Sequence, residues 1–402
     1  MEPEGRADEN ARLVGAVRRR FGADTGVENV TVPTVGGSNR TVLFDLVEPA
    51  GRRRLVLRAE TYTAPDSPFI EPAAQFRLLE RAAAHGVPVP EPMFLLDDDD
   101  GLGRGFVMAY VEGETVPQRI LREPRFAAVV PRLAGILGDI AAAIHAIPLD
   151  EVAFLEDRPD SRDPLGAQRE RFDRYDEPHP ALELGFRWLE RHRCRPGRRT
   201  LVHADFRNGN LIVDGSGVAA VLDWECAHLG DPMEDLAWVC LRSWRFGRPD
   251  RPVGGFGPRE DLYGAYEKAA GRRPDAEAVR YWEVFGFVRW AVLSVMQGYG
   301  HLYEGRSSVV YAATARNTAL IEYDLLRTLV AHPGKVLTHK AIIQEVWGPG
   351  YGESHLLRVH IAALRRKIER NPRAPELIET VTGVGYRIRE PEPRPEPVLP
   401  PS

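Results

Sequence analysis

LVHADFRNGNLIVDGSGVAAVLDWECAHLGDPMEDLAW, residues Leu201–Trp238, is the stretch on which the fold turns. Three short apolar runs, Thr200–His203, Leu211–Val213 and Ala219–Leu222, bracket its polar residues. That is the pattern of strands presenting loops from a rigid scaffold. His203 and Asp205 stand two apart and Asn210 follows five later, a loop spacing of HxDxxxxN. Asp223 closes the next strand pair after a tight turn at Asp214–Gly217. A carboxylate beside a hydroxyl nucleophile, with one Asn and one Asp as hard oxygen ligands, is the set that phosphoryl transfer from a metal–nucleotide needs. Asp231-Pro232-Met233-Glu234 reads as a helix start: an N-cap, a proline at the first helical position and an acid in the first turn.

With HADFRNGN, VLDWE and GDPMEDLA in that order, the chain resembles the aminoglycoside/choline-type small-molecule phosphotransferases, which have a protein-kinase-like fold. Within them it is most similar to the branch fused to acyl-CoA dehydrogenases in animals and standing alone in bacteria. The resemblance implies that Asp205 is the catalytic base, that His203 shapes the catalytic loop, and that Asn210 and Asp223 are Mg²⁺ ligands. It also implies that Asp235 holds the loop backbone from the following helix. Glu225 either touches the metal or stands behind its ligands. A lone HxD carries little weight, whereas three ordered segments with strand flanks carry much more.

Upstream, Val27–Val35 and Val42–Val47 read as strands joined through Gly36-Gly37-Ser38-Asn39. A glycine-rich hairpin tip can lay backbone N–H groups over triphosphate oxygens. Any hairpin can carry Gly-Gly, and GxGxxG is lacking here, so the tip gains meaning only from the downstream motif. Gly36, Gly37, Ser38 and Asn39 are thus candidate nucleotide contacts. Arg58 ends the strand Arg53–Arg58, where kinases place a phosphate-gripping lysine; the alternative is a solvated strand-end arginine. The helix Pro72–Ala84 offers Gln75 where kinase-like folds put the glutamate that pairs with that cation, with Glu71 and Glu80 nearby. Phe106–Gly113 resembles the hinge that meets an adenine ring, making Met108 and Tyr110 candidates, although an ordinary core strand looks the same.

Helical periodicity continues over Pro131–Ile147, Gln168–Tyr175, Pro180–His192, Met233–Trp244, Leu262–Ala270 and Ala276–Leu302. Asp157–Asp163 reads as a surface loop and Gly247–Pro258 as a mobile loop near the acceptor. His145 reads as a packed histidine, while Glu234 and Glu283 are acidic candidates for the acceptor pocket.

The 402 residues suggest two or three domains of ordinary globular composition, 43% hydrophobic and 28% charged. Net charge is −5, but residues 331–402 carry 11 Lys or Arg against 8 Asp or Glu, and residues 1–330 carry 42 against 50. That shift marks a junction near residue 330, and an acidic body suits a cationic acceptor. Cys194, Cys226 and Cys240 have no CxxC spacing, and MEPEGRADEN lacks an apolar targeting stretch, so a cytoplasmic location is expected. Phe126–Ile147, interrupted by Arg132 and Asp139, reads as a buried helix rather than a membrane span.

From Glu322 to Ile388 the sequence resembles the winged helix-turn-helix output domain of two-component response regulators. The resemblance implies helices Glu322–Ala331, Thr338–Val346 and Glu353–Arg370, then a hairpin with its tip at Thr382–Gly385. Leu357, Ile361, Leu364 and Ile368 form the buried stripe of the third helix, leaving Arg358, Arg365, Arg366 and Lys367 for DNA phosphates or base edges, or as a solvated basic face. The family's N-terminal sheet is missing from the residues before the first helix, so the hairpin is expected to lack a partner. One helix near Ile321–Val330 is expected to serve both domains.

The expected architecture is α+β: a two-lobed protein-kinase-like fold with a small C-terminal winged-helix-like α+β domain. Its parts are a nucleotide-binding lobe (1–112), a catalytic and acceptor-binding lobe (113–321), the partial winged-helix-like domain (322–390) and a Pro-rich tail (391–402). The expected function is Mg²⁺-dependent transfer from ATP or GTP to a small-molecule hydroxyl, with DNA as a candidate partner and no membrane. The rival is a DNA-binding regulator whose kinase-like body senses a nucleotide or metabolite.

Overall fold

The computed structural model describes residues 3–33, 39–60, 67–175, 177–194, 197–305, 309–329, 336–339 and 354–388. The chain sorts into two compact units that interleave along the sequence. One takes residues 1–168, 194–286 and 308–311; the other takes residues 169–193, 287–307 and 312–402.

The first unit contains a five-stranded antiparallel sheet in the order β1 (Gly26–Thr31), β2 (Asn39–Glu48), β3 (Gly51–Glu60), β5 (Gly105–Ala109), β4 (Pro92–Leu95). Val42, Phe44 and Leu46 alternate with half-buried neighbours on β2, so one face is buried, and the N-terminal helix Pro3–Phe21 packs Leu13, Ala16 and Val17 onto it. Arg20 clamps that helix to the Asp97–Asp100 turn, bonding the buried Asp100 at 2.7 Å. The helix Pro72–Ala84 forms where the proline and apolar spacing place it, burying Gln75, Leu78, Leu79 and Ala82 along one stripe.

The helical part of this unit is built on Val130–Ala146, most of whose apolar side chains are buried. It crosses the helix Arg259–Ala270 closely at Gly138, where a Cβ would strike the Leu262 carbonyl. Two small antiparallel pairs carry the polar loops: β6 (Thr200–Val202) with β9 (His228–Gly230), and β7 (Leu211–Val213) with β8 (Val218–Val221). Among the described residues, no single helix is long and apolar enough to cross a membrane.

Three local expectations are corrected. The helix expected over Met233–Trp244 stops at Trp238, followed by a separate turn at Arg242–Trp244. The Val239 and Cys240 carbonyls are taken by Gly254 N (3.0 Å) and the Arg245 guanidinium (2.9 Å), not by a continuing helix. Gly247–Pro258 is anchored rather than mobile: Val253 and Phe256 are buried, and the Gly254 carbonyl accepts from Asn208 Nδ2 at 2.7 Å. Asp157–Asp163 contains a helical turn, Pro159–Arg162, whose Ser161 is buried between the Leu155 carbonyl (2.7 Å) and Leu229 N (2.9 Å).

In the second unit the helix Thr318–Leu329 packs against both Pro180–Arg191 and Ser354–Ile368. Buried Glu322 meets His179 Nδ1 at 2.8 Å, on the first of those faces. This is the shared helix expected near Ile321–Val330. The expectation of an unpartnered hairpin is overturned: β10 (Val336–Thr338) pairs with β12 (Gly385–Ile388), which pairs with β11 (Ile378–Val381). Thr338, expected to start a helix, lies in β10; residues 340–346 of that helix and the tail 391–402 fall outside the described residues. Leu357, Ile378 and Tyr386 form a small core with Ile361 and Leu364 half-buried against it.

Candidate active site

The catalytic loop is set by Asp235, which reaches back from the helix Met233–Trp238. Its carboxylate accepts from His203 N at 2.9 Å and Ala204 N at 2.8 Å. It also meets His145 Nε2 at 3.1 Å, and His145 passes its other ring nitrogen to the Tyr266 hydroxyl at 3.0 Å. Burial opposes ionisation of Asp235, but His145, His203 and the donated N–H hold its carboxyl below the usual range. The device fixes Ala204 in the left-handed region, φ 63°, which turns Asp205 out of the strand.

His203 is fully buried. Its Nδ1 accepts from Asp205 N at 3.1 Å, and its Nε2 donates to the Leu222 carbonyl at 3.0 Å. Burial pushes its pKa down, so the ring is neutral and both nitrogens are engaged in shaping the loop. Asp205 is half-buried. Its Oδ1 accepts from Arg207 Nε at 2.8 Å and Trp238 Nε1 at 2.9 Å; its Oδ2 accepts from Asn210 Nδ2 at 2.5 Å. Leu222 N donates to the Asn210 carbonyl at 2.8 Å, so the loop is laced to the residue before Asp223.

Asp223 is itself left-handed, φ 60° and ψ 59°, and its side chain is ion-paired with Arg58. Burial opposes its charge, but Arg58, then Arg207 and His203, keep the carboxyl below the usual range. Glu225 stands 3.9 Å from the other Arg58 amino group. Thus the counter-charge for Arg58 comes from the Asp223–Glu225 turn rather than from the helix Pro72–Ala84. Gln75 instead gives its amide to the Ile70 carbonyl at 2.9 Å. Arg58, Gln75, Met108 and Asp223 line one small pocket, with Leu79, Phe106 and Trp224 as apolar walls.

The structure therefore brings Arg58, Met108 and Asp223 to one pocket and holds Asp205 and Asn210 on the loop laced to it. Tyr110 is not among the residues lining that pocket: its N–H goes to the Arg54 carbonyl at 3.0 Å and its ring lies 4.7 Å under the Arg54 guanidinium. Gly36, Gly37 and Ser38 lie outside the described residues, as does the Asn39 side chain, whose backbone begins β2. Of the two acidic candidates for the acceptor pocket, Glu234 is buried and meets His228 at 3.1 Å, and Glu283 is paired with Arg259. Sequence reasoning missed Arg207 and Trp238; the first stands inside HADFRNGN, and the second lies in the helix that follows the acidic turn.

Among the described residues no three His, Cys, Asp or Glu side chains form a ready-made metal cage. One charged carboxylate and one amide oxygen nevertheless suit Mg²⁺, which keeps waters and phosphate oxygens among its ligands. In the C-terminal segment Arg358 and Arg366 are exposed, whereas Arg365 turns inward to the Ile378 carbonyl (3.0 Å) and Thr380 Oγ1 (2.8 Å). Arg365 is therefore removed from the DNA-contact set by its role in the hairpin; the Lys367 side chain lies outside the described residues.

Residues 29–280 match the model of the phosphotransferase enzyme family, and residues 317–388 match that of the transcriptional regulatory protein C-terminal domain. Acyl-CoA dehydrogenase family member 10 of Mus musculus is 31% identical over 226 residues, 51% of this chain and 20% of that protein. The KDP operon transcriptional regulatory protein KdpE of Escherichia coli is 46% identical over 69 residues, 17% of this chain and 31% of that one. The chain thus spans less than a third of the length of either relative. The solved structure of spectinomycin phosphotransferase APH(9)-Ia, in complex with ADP and spectinomycin, aligns with a TM-score of 0.55 at 10% identity, covering 79% of this chain and 98% of that one. That likeness speaks for the kinase-like fold.

Proposed function

We propose, from the premise that this chain belongs to the phosphotransferase enzyme family, that it moves the γ-phosphoryl group of ATP or GTP to a hydroxyl of a small molecule. The observation that carries this reading is Asp205, oriented by three side-chain donors on a loop laced to Asp223. Arg58 and Met108 line the nucleotide side of the site. Asn210 and Asp223 are the residues that would hold Mg²⁺, and the ion would supply charge neutralisation at the phosphate oxygens.

Asp205 orients the acceptor hydroxyl and receives its proton. His203 and Asp235 keep the loop in register without touching the reactants. Catalysis on this account is mostly positioning and fixed charge. The test is transfer of labelled γ-phosphate from Mg·ATP or Mg·GTP to a panel spanning aminoglycosides, choline, sugars and hydroxyacyl thioesters. A labelled product is expected with one class; no transfer to any of them, and none to water, contradicts the reading.

A second activity is supported by the exposed Arg358 and Arg366 on the helix Ser354–Ile368: contact with duplex DNA phosphates. Binding that weakens steeply with salt is expected. Duplex binding without phosphotransfer would favour a regulator whose kinase-like body senses a nucleotide.

A further inference from the structure

Arg207 enters the reaction above only as one of the donors that orient Asp205, yet it is a cation bonded to the carboxylate that handles the acceptor. Its Nε donates to Asp205 Oδ1 at 2.8 Å. The guanidinium lies 4.5 Å from the Trp244 ring. On the loop itself it meets the backbone of Gly209, φ 117°, where a Cβ would come within 2.5 Å of Nη1. The ring flanks the guanidinium, and the glycine leaves it room. Nη1 reaches the Asn208 carbonyl only at 3.5 Å, and among the described residues neither terminal amino group has another hydrogen-bond partner. Its charge is also felt at Asp223, where it joins Arg58 in keeping that carboxyl low.

The other cation of the site, Arg58, is committed to two carboxylates, Asp223 and Glu225. A phosphoryl group in transfer spreads negative charge over its three equatorial oxygens, and a planar fork of N–H donors matches two of them. We propose that Arg207 is a catalytic residue whose terminal amino groups bind those oxygens, while its Nε keeps Asp205 in the plane needed by the acceptor hydroxyl. This rests on the phosphotransferase reading. The bond between the γ-phosphorus and the bridging oxygen breaks, and its electron pair leaves with the nucleoside diphosphate. A new phosphorus–oxygen bond forms to the acceptor, whose proton passes to Asp205 and then to solvent. Arg207 stays protonated throughout.

The test uses the full chain with Mg·ADP and aluminium fluoride, a mimic of the transferring phosphoryl group that needs no knowledge of the acceptor. Wild-type protein should bind ADP at least about 100-fold more tightly when fluoroaluminate is present. Arg207→Gln should lose most of that tightening while its affinity for ADP alone stays within about twofold. Arg207→Lys, which keeps the charge but not the fork, should recover part of it, and added guanidinium ion should restore tightening to Arg207→Ala. Should Arg207→Gln fail to fold, judged by its melting curve, the lysine and alanine variants decide. Tightening retained without Arg207, or lost only in step with ADP affinity, overturns the inference. A wild-type protein that shows neither tightening nor phosphotransfer overturns the underlying reading, and the role of Arg207 with it.

Discussion

Asp235 in the first unit and Glu369 in the second do the same job in very different surroundings. Asp235 accepts the N–H groups of His203 and Ala204 and so fixes the catalytic loop. Glu369 accepts those of Glu376, Leu377 and Ile378, at 2.7–3.0 Å, and so fixes the entry to β11. Both are buried. Around Asp235, however, lie the helix Val130–Ala146 with its buried side chains and two histidines, one of which meets the Phe206 ring. Around Glu369 the core amounts to Leu357, Ile378 and Tyr386 with two half-buried neighbours. The same buried carboxylate is thus a keystone where the core is deep and a local fastener where the core is thin, because the free energy at stake scales with the buried structure that depends on it.

The sharpest break of that contrast is Asp235→Asn, which replaces an acceptor of three hydrogen bonds by an amide with one oxygen. It should cost about 3–5 kcal/mol in urea unfolding and abolish phosphotransfer. A loss below about 1 kcal/mol would place the keystone elsewhere. The variant should also change the acid limb of stability. The folded-state pKa of Asp235 is depressed, so its contribution is complete above the unfolded value, about 4, and is lost as pH falls through the lower folded value. Asp235→Asn should lack that part of the acid loss. Glu369→Gln should cost about 1–2 kcal/mol, confined to the second unit. Amide exchange at residues 376–378 should quicken while phosphotransfer is kept; lost phosphotransfer would show the thin unit to be wired to the site. Trp238→Phe removes only the indole N–H from Asp205, so kcat should fall about tenfold with stability within about 1 kcal/mol. The smallest effect separates two neighbours on one helix. Arg366→Ala should lower the salt slope of duplex binding by about 1, whereas Arg365→Ala should weaken the hairpin instead. Equal effects on the slope would undo the assignment of Arg365 to the fold.

Much of this was legible from local pattern. The helix Pro72–Ala84 was readable from its proline and its apolar spacing, and the loop from Asp205 to Asn210 from strand flanks around polar residues. What escaped is non-local. β9 is three residues containing His228 and Gly230, with no alternation to announce it, and it exists because β6 needs a partner. β10 looked like the lead into a helix until Gly385–Ile388 came alongside. Glycines and arginines made Gly247–Pro258 look mobile, yet Val253 and Phe256 pin it beside Asn208. At the site, residue types pointed to Asp205, Asn210 and Asp223, but only packing revealed that Arg58 takes its counter-charge from the Asp223 turn and that Tyr110 is spent on Arg54.

The role of Asp205 is tested most directly by the turnover of Asp205→Asn beside wild type at saturating Mg·ATP and acceptor, with nucleotide affinity measured on the same preparations. Turnover should fall at least about 100-fold while affinity for the nucleotide stays within about twofold. Turnover within about threefold of wild type would contradict the assignment of the acceptor hydroxyl to Asp205.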